Sequence, residues 1–294
     1  MKRLFVDALG RLRSGWKLVG YFLAYQIATG ILVFPLVLVL IAKHRPYLPV
    51  LEITEPFLGA LAGLAMSAAA LAMERRPFAS LGLALGGRWF REAALGVLLG
   101  ALLMLLPALL LRASGAFHWV PDTGGSLRGM ALGLLFFGAV AVNEELAFRG
   151  YGFQRLVEGI GPRWTLFLLA LAFAAIHLGN PGISGAGLAL KLTTLLNIAV
   201  SAILLGLCYL RTRSLALPIG VHLGWNWTQG NLLGFGVSGT TLARGLWAPV
   251  LHTKPLWLTG GAVGLEGSLA CTLFCLLAIL GLALWKPKTC AAIS

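Results

Sequence analysis

Long apolar runs alternate along the chain with short polar, mostly basic stretches, and the runs have membrane-spanning length. A helix needs about 20 predominantly apolar residues to cross the hydrocarbon core. Eight such runs occur, at approximately 18–42, 56–73, 93–111, 127–148, 164–179, 188–210, 214–230 and 262–285. The fifth and seventh are short and interrupted by polar residues. The first follows a basic start, as in a signal peptide, but the apolar segment within 16–42 is too long for one and no small-residue cleavage site closes it. It is therefore expected to be retained as a span. No soluble domain is left over and no internal repeat is visible, so the pattern predicts one all-α integral-membrane domain over 1–294, a polytopic bundle of about eight transmembrane helices.

Composition agrees with the pattern. With 59% hydrophobic and 11% charged residues and a mean hydropathy of +0.88, the chain falls far from ordinary soluble domains, of which roughly 25% is charged. The net charge of +13 lies in short clusters between apolar runs instead of one stripe, which argues against a nucleic-acid partner. With the N-terminus inside, the inner segments hold sixteen basic residues (Lys2, Arg3, Arg11, Arg13, Lys17, Arg75, Arg76, Arg88, Arg91, Arg149, Arg155, Arg163, Arg211, Arg213, Lys286, Lys288). The outer segments hold seven (Lys43, Arg45, Arg112, Arg128, Lys191, Arg244, Lys254). The positive-inside rule then predicts a multi-pass protein with both termini cytoplasmic. Cys208, Cys271, Cys275 and Cys290 show no paired-ligand spacing and are expected to be small packing residues. Cys290 stands fifth from the end, where a prenylation signal needs the fourth.

Against this background two adjacent carboxylates stand out in Asn143-Glu144-Glu145-Leu146-Ala147-Phe148-Arg149. Besides them, only Glu266 is expected within or against an apolar span. An ionisable group at the centre of a bilayer costs roughly 2.5–3.5 kcal/mol even on the lenient insertion scale, so such groups mark sites by default. Helix spacing divides the pair. Glu145 and Arg149 are i and i+4 in the favourable order for an ion pair, whereas the i+4 position from Glu144 is Phe148. Glu145 is thus expected to hold Arg149, leaving Glu144 for chemistry.

Three more polar residues lie in later spans. His177 ends the fifth run four residues after Phe173, and the seventh carries His222 and Asn226 on one helix face. At about 1.5 Å per residue, Glu144 lies roughly 8 Å from Arg149 and His222 roughly 13 Å beyond Arg213, but His177 lies roughly 21 Å beyond Arg163. Straight spans would leave His177 deeper than its partners.

A carboxylate beside a histidine can activate water, and a second histidine with an amide can stabilise a tetrahedral oxyanion. Amide hydrolysis is one use of this set; zinc binding by the same residues is another, and a non-enzymatic membrane partner whose polar cluster holds helices together is a third. No His-Glu-x-x-His run occurs, and the only aspartates, Asp7 and Asp122, lie outside the spans. Gly-x-Ser-Gly occurs at 182–185 and 236–239, in Gly-rich segments expected at the outer edge and away from His222, which disfavours a serine mechanism. Glycine pairs Gly59/Gly63, Gly96/Gly100 and Gly220/Gly224 have the spacing for close helix packing.

Glu144-Glu145-x-x-x-Arg149, Phe173-x-x-x-His177 and His222-x-x-x-Asn226, in that order, resemble the CPBP family, which joins the type II CAAX prenyl proteases with bacterial Abi and bacteriocin-processing proteins. Arg76-Pro77-Phe78-Ala79-Ser80-Leu81-Gly82-Leu83 is similar to a loop of the bacterial branch, and the similarity spans roughly 75–230. The resemblance implies a helical bundle in a bacterial cell membrane, with a conical cavity open to the cytosol. It also implies a metal-independent glutamic endopeptidase without cofactor, acting on a membrane-associated protein or peptide. In it Glu144 and His177 activate water, His222 and Asn226 stabilise the oxyanion, and Glu145, Arg149 and Phe173 support the site.

Overall fold

The computed structural model describes residues 5–6, 10, 12–240, 245–252 and 255–285. Lys2, Arg3, Asp7, Arg11, Arg244, Lys254, Lys286, Lys288 and Cys290 lie outside the described residues. Among the described residues nine main helices form the protein: α1 (Ser14–Ala42), α2 (Tyr47–Met73), α3 (Gly87–Ala113), α4 (Leu127–Arg149), α5 (Tyr151–Ile160), α6 (Pro162–Ile176), α7 (Leu188–Thr212), α8 (Ala216–Trp227) and α9 (Leu269–Leu284). Local signals set several ends. The Ser126 and Ser268 hydroxyls accept from the amides of Gly129 and Cys271 to cap α4 and α9. Pro162 stands in the first turn of α6, and Arg213 adopts a left-handed conformation just after α7.

Every expected span carries a helix, but six stretches are long and apolar enough to cross a membrane by length and composition: α1, α2, α3, α4 continued through α5, α6 with the turn after it, and α7. At about 1.5 Å per residue, α8 and α9 rise only roughly 18 and 24 Å, short of a core of about 30 Å. Several boundaries differ from expectation. Helix α2 begins at Tyr47, because its carboxylates do not interrupt the helix, and Glu55 therefore lies inside it. The expectation that only Glu144, Glu145 and Glu266 would lie within or against spans is overturned. The last helix begins at Leu269 instead of 262, since Gly260, Gly261 and Gly264 take positive φ, a conformation glycine adopts at no steric cost. Glu266 consequently sits in a short 3-10 turn, Leu265–Gly267. An unexpected antiparallel ribbon pairs β1 (Phe117–Pro121) with β2 (Trp247–Leu251).

Helices α3 and α8 touch through interlocking glycines. A Cβ on Gly96 would run into the Leu217 carbonyl oxygen, and one on Gly220 into the Ala93 oxygen. Gly100 and Gly224 face Val221 and Val97 in the same way. Backbone contact of this kind lets dispersion stabilise a helix pair where lipid offers no hydrophobic driving force. It fixes the rotation of α8, and with it where His222 and Asn226 lie.

Candidate active site

The C-terminal half of α4 turns its charged residues inward. Glu145 and Arg149 are 0% and 2% exposed, and Arg149 Nη1 lies 3.1 Å from Glu145 Oε1. The other guanidinium nitrogen, Nη2, donates to the Ala202 carbonyl of α7 at 2.9 Å. The guanidinium carbon also lies 5.0 Å from the centre of the Phe173 ring, a cation–π contact that gains strength when desolvated. At Gly150 the chain turns into α5, and a Cβ there would clash with the Leu146 oxygen.

Helical spacing points only to Arg149 as the partner of Glu145. In the folded protein Glu145 Oε1 also lies 2.9 Å from His222 Nδ1, so one carboxylate oxygen binds two helices at once. A carboxylate only accepts, so His222 donates from Nδ1, and its Nε2 faces Glu144 Oε2 at 3.7 Å. Two buried oxygens, Oε2 of Glu144 and Oε2 of Glu145, have no hydrogen-bond partner among the described residues. Buried polar atoms are nearly always satisfied, and each exception calls for an explanation such as a catalytic role or a bound water.

His177 follows α6 directly. Its Nδ1 donates to the Phe173 carbonyl at 2.7 Å, leaving Nε2 as the acceptor of the neutral ring. The Phe173 ring lies 4.7 Å from His177 and 6.4 Å from His222. His177, His222 and Asn226 line one cavity of about 30 Å³, room for about two water molecules. The depth difference inferred from straight spans therefore does not keep His177 from His222. Asn226 is buried one helical turn beyond His222 on the same face of α8. Glu144 does not line this cavity. It reaches it through His222 and makes no direct hydrogen bond or ion pair with His177 among the described residues.

Glu266 and Ser238 also line the cavity. Glu266 accepts from Trp225 Nε1 at 2.8 Å, and from the backbone amide and hydroxyl of Ser238 at 2.8 and 2.9 Å. The second Gly-x-Ser-Gly segment thus faces the histidines, contrary to the expected placement, because Asn180, three residues after His177, donates to the Ser238 carbonyl and draws the loop inward. The hydroxyl of Ser238 donates to Glu266 rather than to a histidine. Ser184, of the first segment, is exposed and donates to Pro181. Among the described residues no three His, Cys, Asp or Glu side chains converge as a metal site. Cys208, Cys271 and Cys275 are buried free thiols.

A second approach comes from α2. A Cβ on Gly59 would strike the Asn143 side chain, and the Tyr25 hydroxyl of α1 bonds to both the carbonyl and side chain of Asn143. Glu55 lies one helical turn before Gly59 on this face. The i, i+4 relation of Glu55 to Gly59 is legible in the sequence only if α2 is extended back to Tyr47.

Residues 126–228 match the family described as Type II CAAX prenyl endopeptidase Rce1-like. The matched stretch contains all three motifs that carry the CPBP resemblance, which it bears out, and the family is one of proteases. The loop at 76–83 lies outside the match. No curated protein and no solved structure matches the chain.

Proposed function

We propose that this chain, as a CAAX-protease-like membrane protein, is an intramembrane endopeptidase that hydrolyses a peptide bond with a carboxylate-activated water and no metal. The observation that carries the reading is the buried Oε2 of Glu144, which has no hydrogen-bond partner among the described residues and faces His222 Nε2 at 3.7 Å beside a cavity lined by His177, His222 and Asn226. Glu144 takes a proton from a water held by the Nε2 lone pair of His177, and the hydroxide attacks the scissile carbonyl carbon. The resulting oxyanion accepts hydrogen bonds from the Asn226 amide and from His222 protonated on Nε2. Glu144 then returns its proton to the leaving amine as the C–N bond breaks. Glu145 orients His222 from behind, Arg149 compensates the charge of Glu145, and Phe173 packs against both histidines. The substrate is a membrane-associated protein or peptide, both termini are cytoplasmic, and the protein sits in a bacterial cell membrane.

Glu144→Gln keeps size and polarity but removes the base. The expected result is loss of cleavage of a prenylated CAAX-type peptide by about 10²–10⁴-fold, with unchanged expression and no loss of thermal stability. Comparing membrane proteomes of wild-type and Glu144→Gln cells for termini that vanish identifies the native substrate. Undiminished cleavage by Glu144→Gln refutes the reading. Stoichiometric zinc with chelator-sensitive activity turns it into metal-dependent hydrolysis.

A further inference from the structure

At the end of the bundle where α1 begins and α2 ends, a cavity of about 720 Å³ opens among residues of α1, α5 and the chain after α2. Its two walls differ in chemistry. One carries Arg13, Lys17, Arg76 and Arg155 against a single lining carboxylate, Glu158; the other is apolar, with Leu12, Trp16, Val19 and Ile160. Arg155 is 3% exposed. Its Nη1 and Nη2 bond Glu74 and Glu158 at 2.9 and 3.0 Å, yet its Nε, also buried, has no partner among the described residues. Arg76 is half exposed and shares the same two acids. The close approach of Ser14 to Gly159, where a Cβ would overlap the serine hydroxyl, fixes the α1–α5 junction that frames the cavity.

We propose that this cavity binds the headgroup of an anionic phospholipid. The phosphodiester sits against Arg76 and Arg155, and the upper acyl chains run along Trp16, Val19 and Ile160. A free phosphate would use the cationic wall alone and leave the apolar wall wet, whereas an amphiphile covers both. Tryptophan is enriched at headgroup depth, and basic pockets between membrane helices recognise anionic headgroups. The site stands apart from the α4–α8 cluster and does not depend on the proposed protease chemistry.

The test uses full-length protein, delipidated in detergent and re-equilibrated with equimolar phosphatidylglycerol and phosphatidylcholine, with retained lipid counted by native mass spectrometry. Wild type is expected to prefer phosphatidylglycerol. Arg13→Gln/Arg76→Gln, at the outer residues of the cationic wall, is expected to lower that preference about 30-fold. Trp16→Ala is expected to lower total lipid retention while keeping the preference. Arg75→Gln/Arg91→Gln removes equal charge from the same end of the bundle outside the cavity and is expected to behave as wild type. Equal loss in both double variants, or no preference in wild type, overturns the proposal. Thermal stabilisation by inorganic phosphate equal to that by phosphatidylglycerol also overturns it, in favour of a small-anion site.

Discussion

Glu74 and the Glu144–Glu145 pair are both carboxylates set among cations, yet they are built in opposite ways. Both oxygens of Glu74 are used: Oε1 by Lys17 at 2.6 Å and the Tyr151 hydroxyl at 2.9 Å, Oε2 by Arg155 at 2.9 Å. At the α4 pair, one oxygen of Glu145 serves both Arg149 and His222 while the other, like Oε2 of Glu144, has no hydrogen-bond partner among the described residues. A saturated carboxylate ties elements together. An unsaturated one costs stability and is retained where it handles water or protons.

The sharpest way to break this contrast is to remove Arg149. Arg149→Met leaves Glu145 buried without its compensating cation, and breaking a buried pair on one side costs about 3–5 kcal/mol. The thermal midpoint in detergent is expected to collapse, while Glu144→Gln leaves it unchanged or higher, because the like charge of nearby Glu55 is relieved. A large loss of stability from Glu144→Gln would place Glu144 with Glu74 as a structural carboxylate.

The next effect tests the scaffold instead of the charges. Gly100→Val puts a side chain where the carbonyl oxygen of Val221 already stands. Overpacking a tight contact costs roughly 1–3 kcal/mol, and forcing α8 from α3 moves His222 away from Glu145. A lower thermal midpoint together with loss of cleavage is expected. Loss of stability with intact cleavage would show that α8 holds its place without α3.

The helix-internal parts of this arrangement are legible in the sequence, and the parts made between helices are not. Glu145 and Arg149 lie on one helix, so an i, i+4 rule pairs them. Glu145 and His222 are 77 residues apart, and no spacing rule reaches that far. Glu55 escapes a search for apolar runs because an acid ends such a run, though a helix tolerates it where it faces another polar group. Glu266 is misplaced because the glycines at 260, 261 and 264 delay the start of the last helix, which apolar content alone does not reveal, and Ser238 because the bond from Asn180 that draws its loop inward joins residues 58 apart. The β1–β2 ribbon lies between runs, where a search for spans does not look. The Arg76 and Arg155 wall is visible in the sequence only as positive-inside charge; its cavity depends on three separate elements meeting.

The smallest expected effect belongs to Glu74, and its sign follows from its surroundings. Burial pushes its carboxyl pKa up, but the bonds from Lys17 and Tyr151 and the charge of Arg155 outweigh burial and hold it below the ordinary 4.5. A group depressed on folding contributes stability that is present above its unfolded pKa and fades as pH falls through the folded value. Glu74→Gln is therefore expected to lower stability by roughly 1 kcal/mol, a partly exposed ion-pair network being worth little more. That deficit should stay constant from pH ~8 to about 5.5 and shrink once the medium falls below about 4.5. Thermal midpoints of both proteins across that range check it. A deficit that instead grows on acidification would mean that burial outweighs the surrounding cations and favours the protonated acid, and Glu74 would cease to be the saturated counterpart to Glu144.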